Sequence, residues 1–179
     1  MIVVSDTTPL NYLVLIGQAD LLWQLYQRVI IPPAVYAELQ RANTPAPVKQ
    51  WIVNHPAWLE VRPIAVTPDT GLSALDEGEF EALTLAEEVG ADLSLIDDRQ
   101  GRREAKRRNL RVIGTLGVLA EAASEGLIDL PVVIARLQET SFYVAPDLLQ
   151  SLLNRFSRSD YSYPFFLFLS SYVRFDLHS

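Results

Sequence analysis

The chain contains no cysteine. That excludes disulfides and a thiolate zinc site, and it fits the cytosol. Histidine is nearly absent: only His55 and His178 offer an imidazole, too few for a histidine-rich metal site. Long apolar runs are missing as well. The densest stretch, Tyr163-Pro-Phe-Phe-Leu-Phe-Leu169, is far too short to span a bilayer, so no membrane role is expected. No basic segment precedes Ile2-Val3-Val4, and a signal peptide is not expected. Positive charge is in deficit. Fifteen lysines and arginines face 22 acids, and the resulting net charge of −7 argues against a protein that coats nucleic acid. A nuclease can still be acidic overall if a metal site holds the acids and a local patch holds the bases. What remains is an ordinary globular composition, 49% hydrophobic over 179 residues, enough for one domain with a real core.

Short β-branched or apolar runs alternate with helical patterns over about the first 115 residues. Ile2-Val3-Val4 reads as a strand ending at Asp6, followed by a helix carrying Leu10 and Leu13 that stops at Gly17. A second helix carries Leu21, Leu22 and Leu25. Val29-Ile30-Ile31 is the second strand, and Pro33 opens a helix in which Glu38 lies on the same side as Val35. A short helix over 45–53 and an edge strand over Leu59–Ile64, which would tolerate Pro63, come next. Thr67 to Ser73 is a turn-rich loop. Leu75 to Gly90 forms a helix in which Glu81 and Glu88 share the outer face and Glu79 aligns with Ala82, Leu83 and Ala86. Strands over Leu93–Ile96 and Leu110–Ile113 flank a basic helix, and helices over 116–124, 131–139 and 146–155 close the pattern. The alternation implies an α/β fold, three layers of helix, sheet and helix around a central parallel sheet of four to five strands. Residues 1–156 form the domain, and 157–179 are an aromatic tail whose Phe165, Phe166 and Phe168 are expected to bury area against the domain or a second subunit.

In a parallel sheet the strand C-termini share one edge, which is where ligands bind. Asp6, the adjacent Asp97 and Asp98, and Thr115 all follow strands, while Glu38 and Glu79 sit in helices that begin near the same edge. Each acid has an alternative reading. Asp76 and Glu79 have the spacing of a capping box, and Asp97 or Asp98 could cap the next helix. Their shared location favours a cluster, which would hold one or two hard cations and suits hydrolysis of a phosphodiester without histidine or cysteine. Seven cations occupy thirteen positions from Arg99 to Arg111. Arg99, Arg102, Arg103, Lys106 and Arg107 are the candidate phosphate contacts, against the alternative of a solvated helix end.

Four stretches in order carry a resemblance: Val4-Ser-Asp-Thr-Thr-Pro-Leu10, Pro32-Pro-Ala-Val-Tyr-Ala-Glu-Leu39, Leu75-Asp-Glu-Gly-Glu79 and Ile96-Asp-Asp-Arg99, continued by Gly101-Arg102 and Val112-Ile-Gly-Thr115. Over about residues 2–155 the chain resembles the PIN-domain ribonucleases, toxins of bacterial toxin–antitoxin pairs. The resemblance implies a magnesium- or manganese-dependent endoribonuclease that acts on RNA, often as a homodimer, with a cognate antitoxin as partner. It makes Asp6, Glu38 and Glu79 metal-site acids, with Asp97 or Asp98 as the last. Thr8 matches the hydroxyl residue after the first aspartate, and Thr115 stands where many members have a further acid or asparagine. A PIN-like module that only binds RNA or protein is the non-enzymatic alternative. A haloacid dehalogenase-like phosphatase is disfavoured by Thr8, where a second acid is needed, and by Lys49 being the only lysine ahead of the acid pair. No Gly-x-Gly-x-x-Gly follows the first strand, which removes a dinucleotide-binding fold.

Overall fold

The computed structural model describes residues 1–65 and 75–157. The expected loop over 67–73 and the aromatic tail with Phe165, Phe166 and Phe168 lie outside the described residues. The chain divides into two compact units, Met1–Thr115 and Leu116–Ser179.

The first unit runs β1 (Val3–Ser5), α1 (Thr7–Leu15), α2 (Leu21–Tyr26), β2 (Val29–Ile31), α3 (Pro33–Glu38), α4 (Ala46–Val53), β3 (Leu59–Val61), α5 (Glu77–Glu88), β4 (Leu93–Leu95), α6 (Arg99–Arg107) and β5 (Val112–Ile113). The five strands form one sheet in the order β3-β2-β1-β4-β5, and every neighbouring pair is parallel. This is the expected α/β class, with helices flanking a parallel sheet. Val3 pairs with Val29 on one side and with Leu93 on the other. Every residue of β1, β2 and β4 is buried, as expected for parallel strands covered on both faces. The strand order reverses at β1, so the crevice beyond β1 and β4 is a topological switch point.

Local chemistry explains where the helices begin and end. Gly17 stands just beyond α1 with φ +70, a conformation that costs a residue without Cβ little. Pro33 occupies the first turn of α3, where its missing N–H is no loss. Asp76 caps α5 through a capping box with Glu79. Three strands are shorter than the sequence suggests, β4 by the single residue Ile96. β3 stops at Val61, before Pro63, and β5 keeps only Val112 and Ile113. Glu81 does not share the exposed outer face of Glu88. Its carboxylate accepts the Ala34 N–H at 2.9 Å and ties α5 to the first turn of α3. The amphipathic reading of α5 fails there because this helix buries seven residues, Gly78, Glu79 and Ala82 through Ala86, and is covered beyond a single stripe.

The second unit is helical: α7 (Thr115–Ser124), which starts on the last residue of the first unit, α8 (Leu130–Gln138) and α9 (Pro146–Ser157). Asp129 caps α8 by accepting the Val132 N–H, and Leu130, Val133, Ile134 and Leu137 form its buried stripe. Among the described residues no helix is long and apolar enough to cross a membrane.

Candidate active site

Four acids reach the C-terminal edge of the sheet from four elements. Asp6 follows β1 directly, at the N-cap position of α1, yet its side chain makes no capping bond. It is 3% exposed, and its Oδ1 is buried without a hydrogen-bond partner among the described residues. Burial, assisted by the nearby charges of Asp76, Glu38 and Asp97 and opposed by the Thr7 N–H, pushes its carboxyl up to about 7. A buried carboxylate oxygen with no donor is costly unless a proton or a cation answers it.

Glu38 comes from the last turn of α3 and is buried. It accepts the Thr7 hydroxyl through Oε2 and meets Arg41 at 3.2 Å through Oε1. Glu79, also buried, sits in the first turn of α5. Its carboxyl is pushed up to about 8 by burial first, then by Asp76, Asp6 and Asp98. The capping-box alternative is realised at the same residue: Glu79 N–H donates to Asp76 at 2.8 Å, and Asp76 N–H reaches back to Glu79 at 3.4 Å. One side chain therefore caps its helix and faces Asp6.

The adjacent pair at the end of β4 separates into two roles. Asp97 points to Thr115, accepting its N–H at 2.8 Å and its hydroxyl at 2.6 Å, one on each oxygen. Burial raises its pKa, while Thr115 and the Arg102 guanidinium hold it down. Asp98 is exposed and caps α6, accepting the N–H groups of Gln100 at 2.6 Å and Gly101 at 3.2 Å. Three glycines leave room for these carboxylates. A Cβ on Gly78 would stand 2.6 Å from Glu38 Oε2, and one on Gly101 would stand 3.1 Å from Glu79 Oε1. On Gly114 a Cβ would collide with Asp97.

Of the two hydroxyl residues after Asp6, Thr7 makes the contact with Glu38, while Thr8 is half-buried one position on. Thr7 and the glycine spacers are parts of the site that the sequence reading missed. Glycine just before two of the site residues, Gly78 before Glu79 and Gly114 before Thr115, was the available signal. The acids come to one edge without closing round a single point. Among the described residues no three of them stand close enough to hold an ion as they are. Glu38, Glu79, Asp97 and Asp98 each accept a local donor instead.

The donor set still fits a hard divalent cation. It is all oxygen, and the buried Asp6 Oδ1 lacks a partner. Magnesium keeps several waters and needs only one or two carboxylates, so a closed cage is not required. The basic helix is partly committed. Arg102 is half-buried, approaches the Ile96 carbonyl at 3.5 Å and lies in the field of Asp97. Arg107 and Arg108 both bind Glu104, and Arg108 also binds Glu87. Of the expected phosphate contacts, Arg102 thus lies against the end of β4 and Arg107 pairs with Glu104 one turn back.

A family model described as a PIN domain matches residues 2–158 of the chain. No curated protein matches it. Among solved structures it is similar to a PilT N-terminus domain protein from the hyperthermophilic archaeon Sulfolobus solfataricus, at 15% identity and a TM-score of 0.47, over 81% of this chain and 100% of that one. The family match spans both the strand-end acids and the helices that carry Glu38 and Glu79. The chain belongs to the PIN-domain family.

Proposed function

We propose that this chain is an endoribonuclease that hydrolyses RNA phosphodiesters with a magnesium or manganese ion. PIN domains are generally nucleases and commonly use divalent metal ions. The observation that carries the reading is the buried, unpartnered Oδ1 of Asp6 beside Glu38, Glu79 and Asp97. Asp6, Glu38 and Glu79 would hold the ion, and Asp97 and Asp98 add to the negative field around it. A bound ion supplies activation of water and stabilisation of the leaving oxygen. The chain's own groups prepare the site. Thr7 fixes the Glu38 carboxylate, Thr115 fixes Asp97, and burial lets Asp6 and Glu79 carry protons near neutral pH until a cation displaces them. From the resemblance of its motifs, the same reading makes the chain the toxin of a toxin–antitoxin pair, acting as a homodimer and restrained by a cognate antitoxin.

A PIN-like module that binds RNA or protein without turnover is the second reading. The same buried acids and basic helix would serve it without turnover. Incubation of pure protein with a mixed RNA pool separates the two. Cleavage with magnesium or manganese that EDTA abolishes is expected. RNA left intact with both ions would remove the enzyme and leave the module.

A further inference from the structure

Helix α6 carries more positive charge than its surroundings use. With Arg102, Arg107 and Arg108 engaged by the protein, three cations remain. Arg99, Arg103 and Lys106 are exposed and form no ion pair among the described residues. Their spacing of four and three residues places them on one face, opposite the buried Gly101 and Ala105. The helix dipole favours only Lys106, which lies in the last turn. Arg99 is the first residue of α6, at the positive end of the helix dipole, where a cation is unfavourable. Like charges one turn apart destabilise a helix further. An anion laid along this face would relieve that repulsion.

The helix also starts beside the acids. Gly101 packs against Ile96 and the Glu79 carboxylate, and Asp98 is close enough to raise the Glu79 pKa. From Arg99 to Lys106 the strip is about 10 Å long, enough for consecutive phosphates of one strand. We infer that Arg99, Arg103 and Lys106 form a phosphate-binding strip that guides single-stranded RNA along α6 to the carboxylate edge. This rests on the ribonuclease reading for its choice of polyanion, and it removes Arg102 and Arg107 from the RNA contacts.

The test is anisotropy titration of a short fluorescent oligouridylate in EDTA, where no cleavage occurs, at several salt concentrations. The triple variant Arg99→Gln, Arg103→Gln, Lys106→Gln should flatten the plot of log affinity against log salt by about 2, at about 0.7 per single-strand phosphate contact. Arg107→Gln and Arg136→Gln, the latter an exposed position on α8, should each flatten it by less per charge removed. An unchanged slope in the triple variant overturns the strip. Equal flattening per charge by Arg136→Gln overturns it too, since net charge alone would then explain binding. If polyglutamate competes as well as oligouridylate at equal charge, the strip is a dock for an acidic protein and the inference fails. RNA bound with the predicted slope but never cut with manganese leaves the strip standing and removes the nuclease. RNA cut normally with an unmoved slope does the reverse.

Discussion

Asp6 is the residue around which the site is strained. Its Oδ1 has no donor, and its neighbours share its charge. Asp6→Asn removes that repulsion while nearly preserving the shape. At pH 8 without metal, the variant should melt above the parent by about 2–4 °C for each kcal/mol relieved. An equal or lower melting temperature would show that the Asp6 charge is not a burden. Gly78 is the second informative residue. A methyl group there meets the end of the Glu38 side chain, not backbone, so the carboxylate moves and the fold survives. Gly78→Ala should therefore lower metal-dependent cleavage by at least about 10-fold, the scale of a disturbed metal-site partner, with a melting curve close to the parent's. Unchanged cleavage would mean that the position of Glu38 is immaterial. Asp6 was legible from sequence because it ends a strand. Gly78 showed in the sequence only as a glycine before Glu79, and its contact with Glu38 depends on α3 lying against α5, which no local pattern encodes.

Glu38 and Asp97 are each placed by the element that carries them and by one hydroxyl from another element, Thr7 and Thr115. Glu81 of α5 holds the Ala34 N–H of α3, and Thr115 at the start of α7 holds Asp97 beyond β4. The Thr115 tie is testable by shape. Thr115→Val keeps the volume but leaves an Asp97 oxygen without its hydroxyl donor, at a cost of about 1–3 kcal/mol. Thr115→Ser restores the donor and should recover most of the loss in a thermal melt. Equal melting of the two variants would assign the loss to packing and not to the hydrogen bond. At this scale the sequence was informative about period and less so about ends. The helices and the five strands were readable from apolar spacing. The strand lengths were not, because Pro63 and Leu110 fit an extended pattern but fall outside the ladder. The outer-face reading of Glu81 failed for the same reason as Gly78: tertiary contact, not periodicity, decides which side of α5 is covered. The acid pair stayed ambiguous in sequence because either residue can cap α6. Backbone geometry alone assigns the cap to Asp98 and turns Asp97 toward Thr115.

For the molecule as a whole, the buried acids make stability depend on pH around neutrality. Asp6 and Glu79 are ordinary carboxyls in the unfolded chain, near 3.8 and 4.5, and lie near 7 and 8 when folded. Between those values the folded state holds more protons than the unfolded state. Their contribution to stability is thus full below about pH 4 and is lost as pH rises through 7 and 8. The metal-free protein should melt higher at pH 5.5 than at pH 8.5, and saturating manganese should shrink that difference. A metal-free melting temperature that rises over the same range would contradict the raised carboxyls. The most direct measurement of the central claim, a carboxylate edge waiting for a cation, is calorimetric titration with manganese near pH 6.5 in two buffers of different ionisation enthalpy. The account predicts one saturable binding event that releases about one to two protons as Asp6 and Glu79 ionise, with affinity reduced by at least about 100-fold in Asp6→Asn. Manganese that does not bind, or that binds the parent and Asp6→Asn alike without releasing protons, would contradict it.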